Sequence, residues 1–180
     1  MQNEMKQPRN RRSIRLPEFD YSQPGAYFVT ICVMDKLNRM GQVMNGQMIP
    51  NQVGKIADDA WRWLGLTFPA ITIPIYCIMP NHIHAIVSID YLRRGALQSA
   101  QGGLQAAPTR GVMRSKSLGR IIGAYKTHST ILINKLENTQ GAQFWQRNFY
   151  ERVIRNEREM EAIYGYIDTN PANWDQDEYR

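Results

Sequence analysis

Apolar and polar positions along the chain predict alternating strands and helices. Runs rich in β-branched and aromatic residues predict three strands, at 27–34 (YFVTICVM), 71–79 (ITIPIYCIM) and 82–89 (HIHAIVSI). Pro74 disturbs the ladder of the second strand, so we expect an edge position or a bulge there. Asn45-Gly46 is a two-residue turn signal and predicts a hairpin over 43–49.

Apolar residues that recur every three or four positions predict three helices. Asn51 caps the first, which runs to about Leu64, and residues 115–136 form the second. Asn156 caps the last helix, which Pro171 ends. Residues 143–153 (QFWQRNFYERV) are apolar and basic together and are interpreted as a strand, whereas the acidic residues 173–180 are expected to fray.

The order of these elements predicts the fold class. An α+β fold, an antiparallel sheet with helices packed on it, accommodates the order strand, hairpin, helix, strand, strand, helix, strand and helix. A chain of 180 residues is long enough for one domain with its own core. We therefore expect a basic arm over 1–25, one domain over 26–174 that contains a long basic loop at 91–113, and a tail over 175–180.

Charge is unevenly distributed. The net charge is +6, yet residues 91–136 contain no Asp or Glu and eight cations: Arg93, Arg94, Arg110, Arg114, Lys116, Arg120, Lys126 and Lys135. The arm is a second basic cluster, with Arg11, Arg12 and Arg15. Two such clusters indicate a polyanionic partner, most often nucleic acid, although a merely solvated basic surface has the same composition.

Cysteine use and hydropathy bear on the compartment. Cys32 and Cys77 lie in strand-like apolar segments, where buried free thiols are the simplest interpretation. No apolar run approaches the ~18 residues that span a bilayer. The first twenty residues are basic without an apolar stretch behind them, so they do not form a secretory signal. We expect a cytoplasmic protein with no membrane partner.

Two histidines have the spacing of a metal-binding pair. His82 and His84 are two apart in a predicted strand, so both imidazoles point to one face while Ile83 points to the other. Two neutral imidazoles side by side can chelate one divalent ion. The alternative is a pair of surface histidines on a half-solvated strand. His128, in the basic helix, is interpreted as a phosphate contact or an ordinary surface residue.

The last helix carries a candidate nucleophile. Tyr166 and Asn170 are four apart and share a helix face. A tyrosine there commonly buries its ring and leaves its hydroxyl in water, which is the alternative to a catalytic role. As a nucleophile, a phenol with a pKa of ~10 needs a metal-polarised electrophile or a nearby base. Asn170 offers an amide oxygen as a third metal ligand.

Four separated segments resemble one protein family in order. PNHIHAIV resembles the metal motif of the HUH family, in which two histidines flank a hydrophobic residue. The segments NRRSIRLPEFDYSQPGAYFVTICV, IIGAYKT and FWQRNFYERVIRNEREMEAIYGYIDTNPANW resemble the REP-associated tyrosine transposases, single-tyrosine relatives of insertion-sequence transposases. The resemblance covers roughly residues 11 to 174, and the loop at 91–113 matches no motif.

The resemblance implies a ferredoxin-like or RRM-like sheet and a specific chemistry. His82 and His84 fall on the family's metal ligands, Tyr166 on its nucleophile and Asn170 on its side-chain amide ligand. Tyr164 and Tyr150 are poorer candidates for the nucleophile. The implied cofactor is Mg²⁺ or Mn²⁺, and the implied activity cuts and joins single-stranded DNA beside hairpins such as repetitive extragenic palindromes, through a 5′-phosphotyrosine.

The resemblance also implies how DNA is held and where the protein works. We expect phosphate contacts from the arm and the basic helix: Arg11, Arg12, Arg15, Arg114, Lys116, Arg120 and Lys126. The expected state is a monomer or homodimer associated with the nucleoid. Three alternatives stay open: a ferredoxin-like module that binds nucleic acid without chemistry, a metal-dependent phosphoesterase that uses water, and a retired transposase kept for a host task.

Overall fold

Ten elements make up the computed structural model, which describes residues 23–90 and 117–180. In chain order they are β1 (Gly25–Cys32), β2 (Gly41–Met44), β3 (Gln47–Pro50), α1 (Gln52–Thr67), β4 (Ile71–Ile78), β5 (His82–Ile89), α2 (Leu118–Glu137), β6 (Tyr150–Ile154), α3 (Glu157–Thr169) and a 3-10 helix (Asn170–Gln176). The expected arm lies outside the described residues except for its last three positions, and the loop at 91–113 lies outside them entirely. Both therefore remain predictions.

β1 and β5 form the centre of a four-stranded sheet. The strand order is β4-β5-β1-β6, and every neighbouring pair is antiparallel. β1-α1-β4 and β5-α2-β6 are two strand–helix–strand units, which together give a ferredoxin-like topology. β2 and β3 form a separate hairpin inserted after β1. The predicted α+β class is confirmed.

The two faces of the sheet differ because side chains alternate along each strand. One face is an apolar core with α1 and α2, to which β1 and β5 contribute Tyr27, Val29, Ile31, Ile83, Ala85 and Val87. The opposite face of the same strands carries Phe28, Thr30, Cys32, His82, His84 and Ile86. α3 lies on this second face, where Ile167 packs with Ile86 and Ile154. The histidines thus lie beneath α3 and away from the main core.

Polar side chains start two of the helices as expected. The Asn51 side chain accepts a hydrogen bond from the Gly54 amide at 3.0 Å and starts α1. Asn156 does the same for α3, accepting from the Glu159 amide at 2.9 Å. The Glu159 carboxylate accepts in return from the amide of Arg155 at 3.0 Å, which resembles a capping box.

Two irregular positions also match the sequence. Asn45 and Gly46 have φ values of 52° and 72°, so the β2–β3 hairpin uses the primed turn that this dipeptide favours. The register between β4 and β5 shifts between Thr72 and Ile75, on either side of Pro74. Proline has no amide hydrogen to donate to a neighbouring strand, so Pro74 lies where the pairing is irregular.

The strand expected over 143–153 is too long. Only Tyr150–Ile154 pairs with β1, and upstream of it the sheet gains a single bridge between Trp145 and Val33. The ammonium of Lys126 donates to the carbonyl oxygens of Gln146 and Asn148, each at 2.9 Å. These two carbonyls therefore bond to a side chain and not to a neighbouring strand. The apolar residues that mimicked a strand, Phe144 and Trp145, are buried in the core.

The expectation that the C-terminal residues fray is also wrong. The α-helix α3 ends at Thr169, just before Pro171 as predicted, but the chain continues directly into the 3-10 helix, which accommodates this proline in its first turn. Trp174 is buried. Within the described residues, no helix combines the length and apolar character needed to cross a membrane.

Candidate active site

His82 and His84 are buried side chains on the face of β5 beneath α3. Their exposed fractions are 0% and 1%, so they are not the surface histidines of the alternative interpretation. Antiparallel register places Thr30 of β1 and Cys77 of β4 opposite His84, and Cys32 opposite His82. Burial lowers the pKa of both imidazoles to about 3. Both rings are therefore neutral at physiological pH, the state in which histidine binds metal.

A neighbouring side chain fixes the ring proton of His82. Asn81 donates its amide hydrogens to the carbonyl oxygens of Lys36 and Tyr179, at 3.2 and 2.7 Å, so its Oδ1 is an acceptor. His82 Nδ1 lies 2.8 Å from that oxygen and must donate to it. The Nε2 atom of His82 therefore carries a lone pair.

The imidazole of His84 lies between two hydroxyl groups, and the direction in which they donate decides where its ring proton is. Its Nδ1 lies 2.9 Å from the Thr30 hydroxyl, and its Nε2 lies 3.1 Å from the Tyr166 hydroxyl. If the phenol donates to Nε2, the ring proton is on Nδ1 and is donated to Thr30. The two Nε2 atoms, only 3.0 Å apart, then face each other with lone pairs. Such a contact is repulsive unless a cation lies between the rings.

Tyr166 reaches the histidines from α3. Its ring makes edge contacts with His84 and Phe28, at centroid distances of 5.1 and 6.1 Å, and its neighbour Ile167 anchors the helix in the small apolar cluster below. The ring is 42% exposed. Burial, with the charges of Asp177 and Glu178, raises the pKa of Tyr166 to about 12. The phenol is therefore protonated at neutral pH and needs nearby positive charge to ionise.

Asn170 lies in the same cluster, at the start of the 3-10 helix. Its side-chain nitrogen donates to the Asp177 carboxylate at 2.9 Å. Its Oδ1 is buried and has no hydrogen-bond partner among the described residues. A buried amide oxygen without a partner is costly, and a bound cation would remove that cost.

Asp177 is a site residue that sequence reasoning missed. Its carboxylate lies 3.7 Å from His82 Nε2, and its side chain is only 1% exposed. It comes from the acidic segment that was expected to fray. Two aromatic residues in that segment offered a signal: Trp174 and Tyr179 lie 6.0 and 4.8 Å from the His82 ring, measured between centroids. These aromatics hold the segment against the sheet.

These groups fit a divalent metal ion. Ligand atoms of His82, His84 and Asp177 lie within 4.8 Å of one another, and the unpartnered Asn170 oxygen adds a fourth electron-rich group beside them. The two Nε2 atoms lie 3.0 Å apart, close enough for one ion to be bound by both.

A cavity of about 700 Å³ opens beside the cluster. It is lined by Phe28, Thr30, His84, Tyr150, Tyr166, Asn170, Asn173, Gln176, Asp177, Glu178 and Tyr179. Tyr150 therefore faces the site, whereas Tyr164 is not part of this lining and is 45% exposed on α3. Of the tyrosines considered from the sequence, Tyr166 is the one whose hydroxyl contacts a histidine of the pair.

The candidate DNA-binding residues have mixed placements. Arg11, Arg12, Arg15, Arg114 and Lys116 lie outside the described residues. Arg120 is exposed on α2. Lys126 is occupied by two backbone carbonyls, and burial lowers its pKa to about 8, so it holds the 143–149 segment in place. His128 stacks flat on Trp63, with the ring centroids 3.9 Å apart.

The fold is similar to that of a transposase of known structure. The solved structure of a REP-associated tyrosine transposase bound to a REP hairpin superposes with a TM-score of 0.53, over 84% of this chain and 69% of that one, at 18% identity. The two proteins share a fold. No family model matches the chain.

One sequence relative extends over almost the whole chain. An uncharacterized protein of Haemophilus influenzae is 36% identical over 170 residues, which cover 94% of this chain and 92% of that protein. The chain belongs to the same family as this Haemophilus protein.

Proposed function

We propose that this protein is a divalent-metal-dependent endonuclease and strand transferase, of the transposase type, that acts on single-stranded DNA. The observation that carries the proposal is the contact of the Tyr166 hydroxyl with Nε2 of His84, 3.1 Å apart, at a buried pair of neutral imidazoles. A phenol beside a cation-binding pair is the arrangement that tyrosine needs to act as a nucleophile.

The substrate class is drawn from two sources. The chain is basic, with a net charge of +6, which favours binding to a polyanion. The solved structure that shares its fold is described as bound to a REP hairpin. We propose that DNA hairpins, such as repetitive extragenic palindromes, lie next to the strand that is cut. Arg120 and the cations outside the described residues are the proposed phosphate contacts, and monomer and homodimer are both compatible with the proposal.

His82, His84 and the oxygens of Asp177 or Asn170 would hold Mg²⁺ or Mn²⁺. The bound ion supplies positive charge that polarises the scissile phosphate and offsets charge in the transition state. Asn81 and Thr30 keep both ring protons on Nδ1, so that both Nε2 atoms stay available as ligands. Phe28 contacts the Tyr166 ring edge-on and supports it beside His84.

The proposed reaction conserves the phosphodiester energy. The Tyr166 oxygen attacks phosphorus, and the bond from phosphorus to the 3′ oxygen breaks. A 5′-phosphotyrosine forms, and the 3′ oxygen leaves as a hydroxyl, gaining a proton to match the one that the phenol loses. Attack by a DNA 3′-hydroxyl on the phosphotyrosine reverses these steps and joins two strands. No nucleotide cofactor is needed.

Trapping the covalent intermediate tests the proposal. A labelled oligonucleotide taken from palindromic DNA beside the gene, with single-stranded flanks, is incubated with the protein and Mn²⁺. Wild type leaves a denaturation-resistant protein–DNA band, and Tyr166→Phe leaves none because the attacking oxygen is gone. Tyr164→Phe is the matched control, since that ring lies outside the cavity lining.

Four results contradict the proposal in different ways. An adduct with Tyr166→Phe moves the nucleophile elsewhere. Cutting that persists in EDTA removes the metal. Cutting without any adduct, in wild type and Tyr166→Phe alike, identifies a phosphoesterase that uses water. A domain that binds the oligonucleotide and never cuts it is the non-catalytic module.

A further inference from the structure

Tyr150 is an aromatic residue of the active-site cavity that the proposed chemistry does not use. It begins β6, the edge strand of the sheet, and pairs in register with Thr30, which in turn pairs with His84. The three side chains therefore lie in one row across the face beneath α3. Strands are roughly 4.8 Å apart, so Tyr150 lies two strands and about 10 Å from the His84 backbone.

Phe28 holds the Tyr150 ring in place. The two rings meet edge to face, 6.1 Å apart at an interplanar angle of 68°. Phe28 also stacks on His84 at 5.3 Å, so one aromatic ring connects Tyr150, the metal-binding pair and Tyr166. Tyr150 keeps a partly exposed ring beside the cavity, and its hydroxyl makes no hydrogen bond with the described residues.

The walls of the cavity favour a base over a phosphate chain. The described residues that line it include no lysine or arginine, and two of them, Asp177 and Glu178, are acidic. The lining also includes two exposed amide residues, Asn173 and Gln176. A flat aromatic face with amide and carboxylate groups at its rim matches a nucleobase, whose face stacks and whose edge donates and accepts hydrogen bonds.

We propose that Tyr150, held edge-on by Phe28, is the stacking platform for an unpaired DNA base that flanks the scissile phosphate. The inference rests on the proposed function and adds a base subsite to it. Stacking one base on this platform positions the strand so that the next phosphate lies beside Tyr166 and the histidine pair. Tyr150 is a binding and positioning residue and takes no part in bond making.

Binding without cutting tests this subsite. The full-length protein is titrated in EDTA against two fluorescein-labelled eight-nucleotide probes, oligothymidylate and an abasic strand with the same number of phosphates. Tyr150→Leu weakens oligothymidylate binding roughly tenfold, because one stacked base is lost. Tyr150→Phe keeps the ring and stays within about twofold of wild type. Neither substitution alters binding of the abasic probe.

Controls separate this result from damage to the fold. Tyr164→Leu removes an exposed tyrosine outside the cavity and leaves both affinities unchanged. Circular dichroism and melting temperature verify that each variant is folded. Equal affinity of wild type and Tyr150→Leu for oligothymidylate overturns the platform, as does an equal loss on the abasic probe. If Tyr150→Leu is unfolded, Tyr150→Phe and Tyr150→Gln are compared instead, with the same criteria.

The two proposals fail separately. If adduct formation requires Tyr166 but Tyr150→Leu binds DNA as wild type does, the proposed chemistry stands and the base subsite is refuted. If binding depends on the base and on Tyr150 but no adduct forms, the base subsite stands and the proposed chemistry is refuted.

Discussion

Single hydrogen bonds decide which atoms of the candidate site are available to a metal. Asn81 accepts a hydrogen bond from His82 Nδ1, and when Thr30 accepts likewise from His84 Nδ1, the two Nε2 atoms, 3.0 Å apart, have no proton between them. In the sequence, Asn81 marks only the break before β5. Its position directly before the first histidine is what lets its side chain reach Nδ1.

At the residue scale, Asp177 is the ligand that structure adds to the predicted set. We expect Asp177→Asn to weaken Mn²⁺ binding about 10- to 100-fold, because the substitution removes the one carboxylate of the cluster. The measurement is the rise in melting temperature as MnCl₂ is added, since an ion that binds only the folded state stabilises it. His82→Gln, which removes a ligand nitrogen, serves as the reference for a lost site.

The matched control for this prediction is Asp175→Asn. Asp175 lies two residues away in the same segment, but its side chain is 84% exposed and pairs with Arg180. The Asp175→Asn variant should show the same rise in melting temperature with Mn²⁺ as wild type. If Asp177→Asn responds to Mn²⁺ as wild type does, Asn170 provides the oxygen ligand and Asp177 only holds the Asn170 amide through its 2.9 Å hydrogen bond.

At the scale of elements, two glycines of α1 illustrate how packing changes the effect of a residue. Gly54 is buried at the start of the helix, and a Cβ built there lies 2.1 Å from the carbonyl oxygen of Met40. Gly65, in the last turn, is exposed and has no atom within 4 Å of such a Cβ. One glycine therefore allows the helix to approach the preceding loop, and the other only weakens the helix.

We expect opposite effects from the same substitution at these positions. Gly54→Ala lowers the free energy of unfolding by about 2 kcal/mol or more, because backbone must move to admit the methyl group. Gly65→Ala raises it by up to about 1 kcal/mol through helix propensity. Urea denaturation followed by circular dichroism measures both. A Gly54→Ala variant as stable as wild type would show that the α1 contact with Met40 is not close-packed.

Most elements were predictable because their signals are local. The hairpin, the caps of α1 and α3, and the strands β1, β4 and β5 follow from turn residues, capping residues and β-branched runs. The segment 143–149 was misassigned because Phe144 and Trp145 are buried in the core by tertiary contacts that local pattern does not specify. The Lys126 ammonium that takes the carbonyls of Gln146 and Asn148 comes from α2, about twenty residues earlier in the chain.

At the scale of the whole molecule, the basic residues and the candidate-site residues come from different segments of the sequence. The described lining of the active-site cavity lacks lysine and arginine, although the chain has a net charge of +6. The excess positive charge lies mainly in residues 91–136 and in the N-terminal arm. We expect the cations of these two segments to bind phosphates on either side of the reacting one, while the described cavity lining is left for the base and the metal ion.

This separation predicts how DNA affinity depends on salt. Replacing Arg11, Arg12 and Arg15 together by Gln should reduce the slope of log affinity against log salt concentration by about 2, at roughly 0.7 for each single-strand phosphate that the arm no longer neutralises. The measurement is oligonucleotide binding between about 50 and 200 mM salt, in EDTA. Arg62→Gln is the control, because Arg62 lies on α1 on the far side of the sheet and pairs with Asp58. If the triple variant has the same salt slope as wild type, the arm does not contact DNA phosphates.

By itself, the sequence determined which residues share a face. Period-two alternation placed His82 and His84 together and Ile83 opposite, and helical spacing placed Tyr166 and Asn170 one turn apart. These relations are local, because they depend only on the geometry of one strand or one helix.

Only the tertiary structure decided what those faces meet. The packing of Ile167 on Ile86 and Ile154 sets α3 over β5, so that Tyr166 reaches His84, 82 residues away in sequence. The burial of Trp174 and the stacking of Tyr179 bring Asp177 to His82. Such distant contacts depend on how the whole sheet and its covering segments pack together, and no local pattern in the sequence encodes that packing.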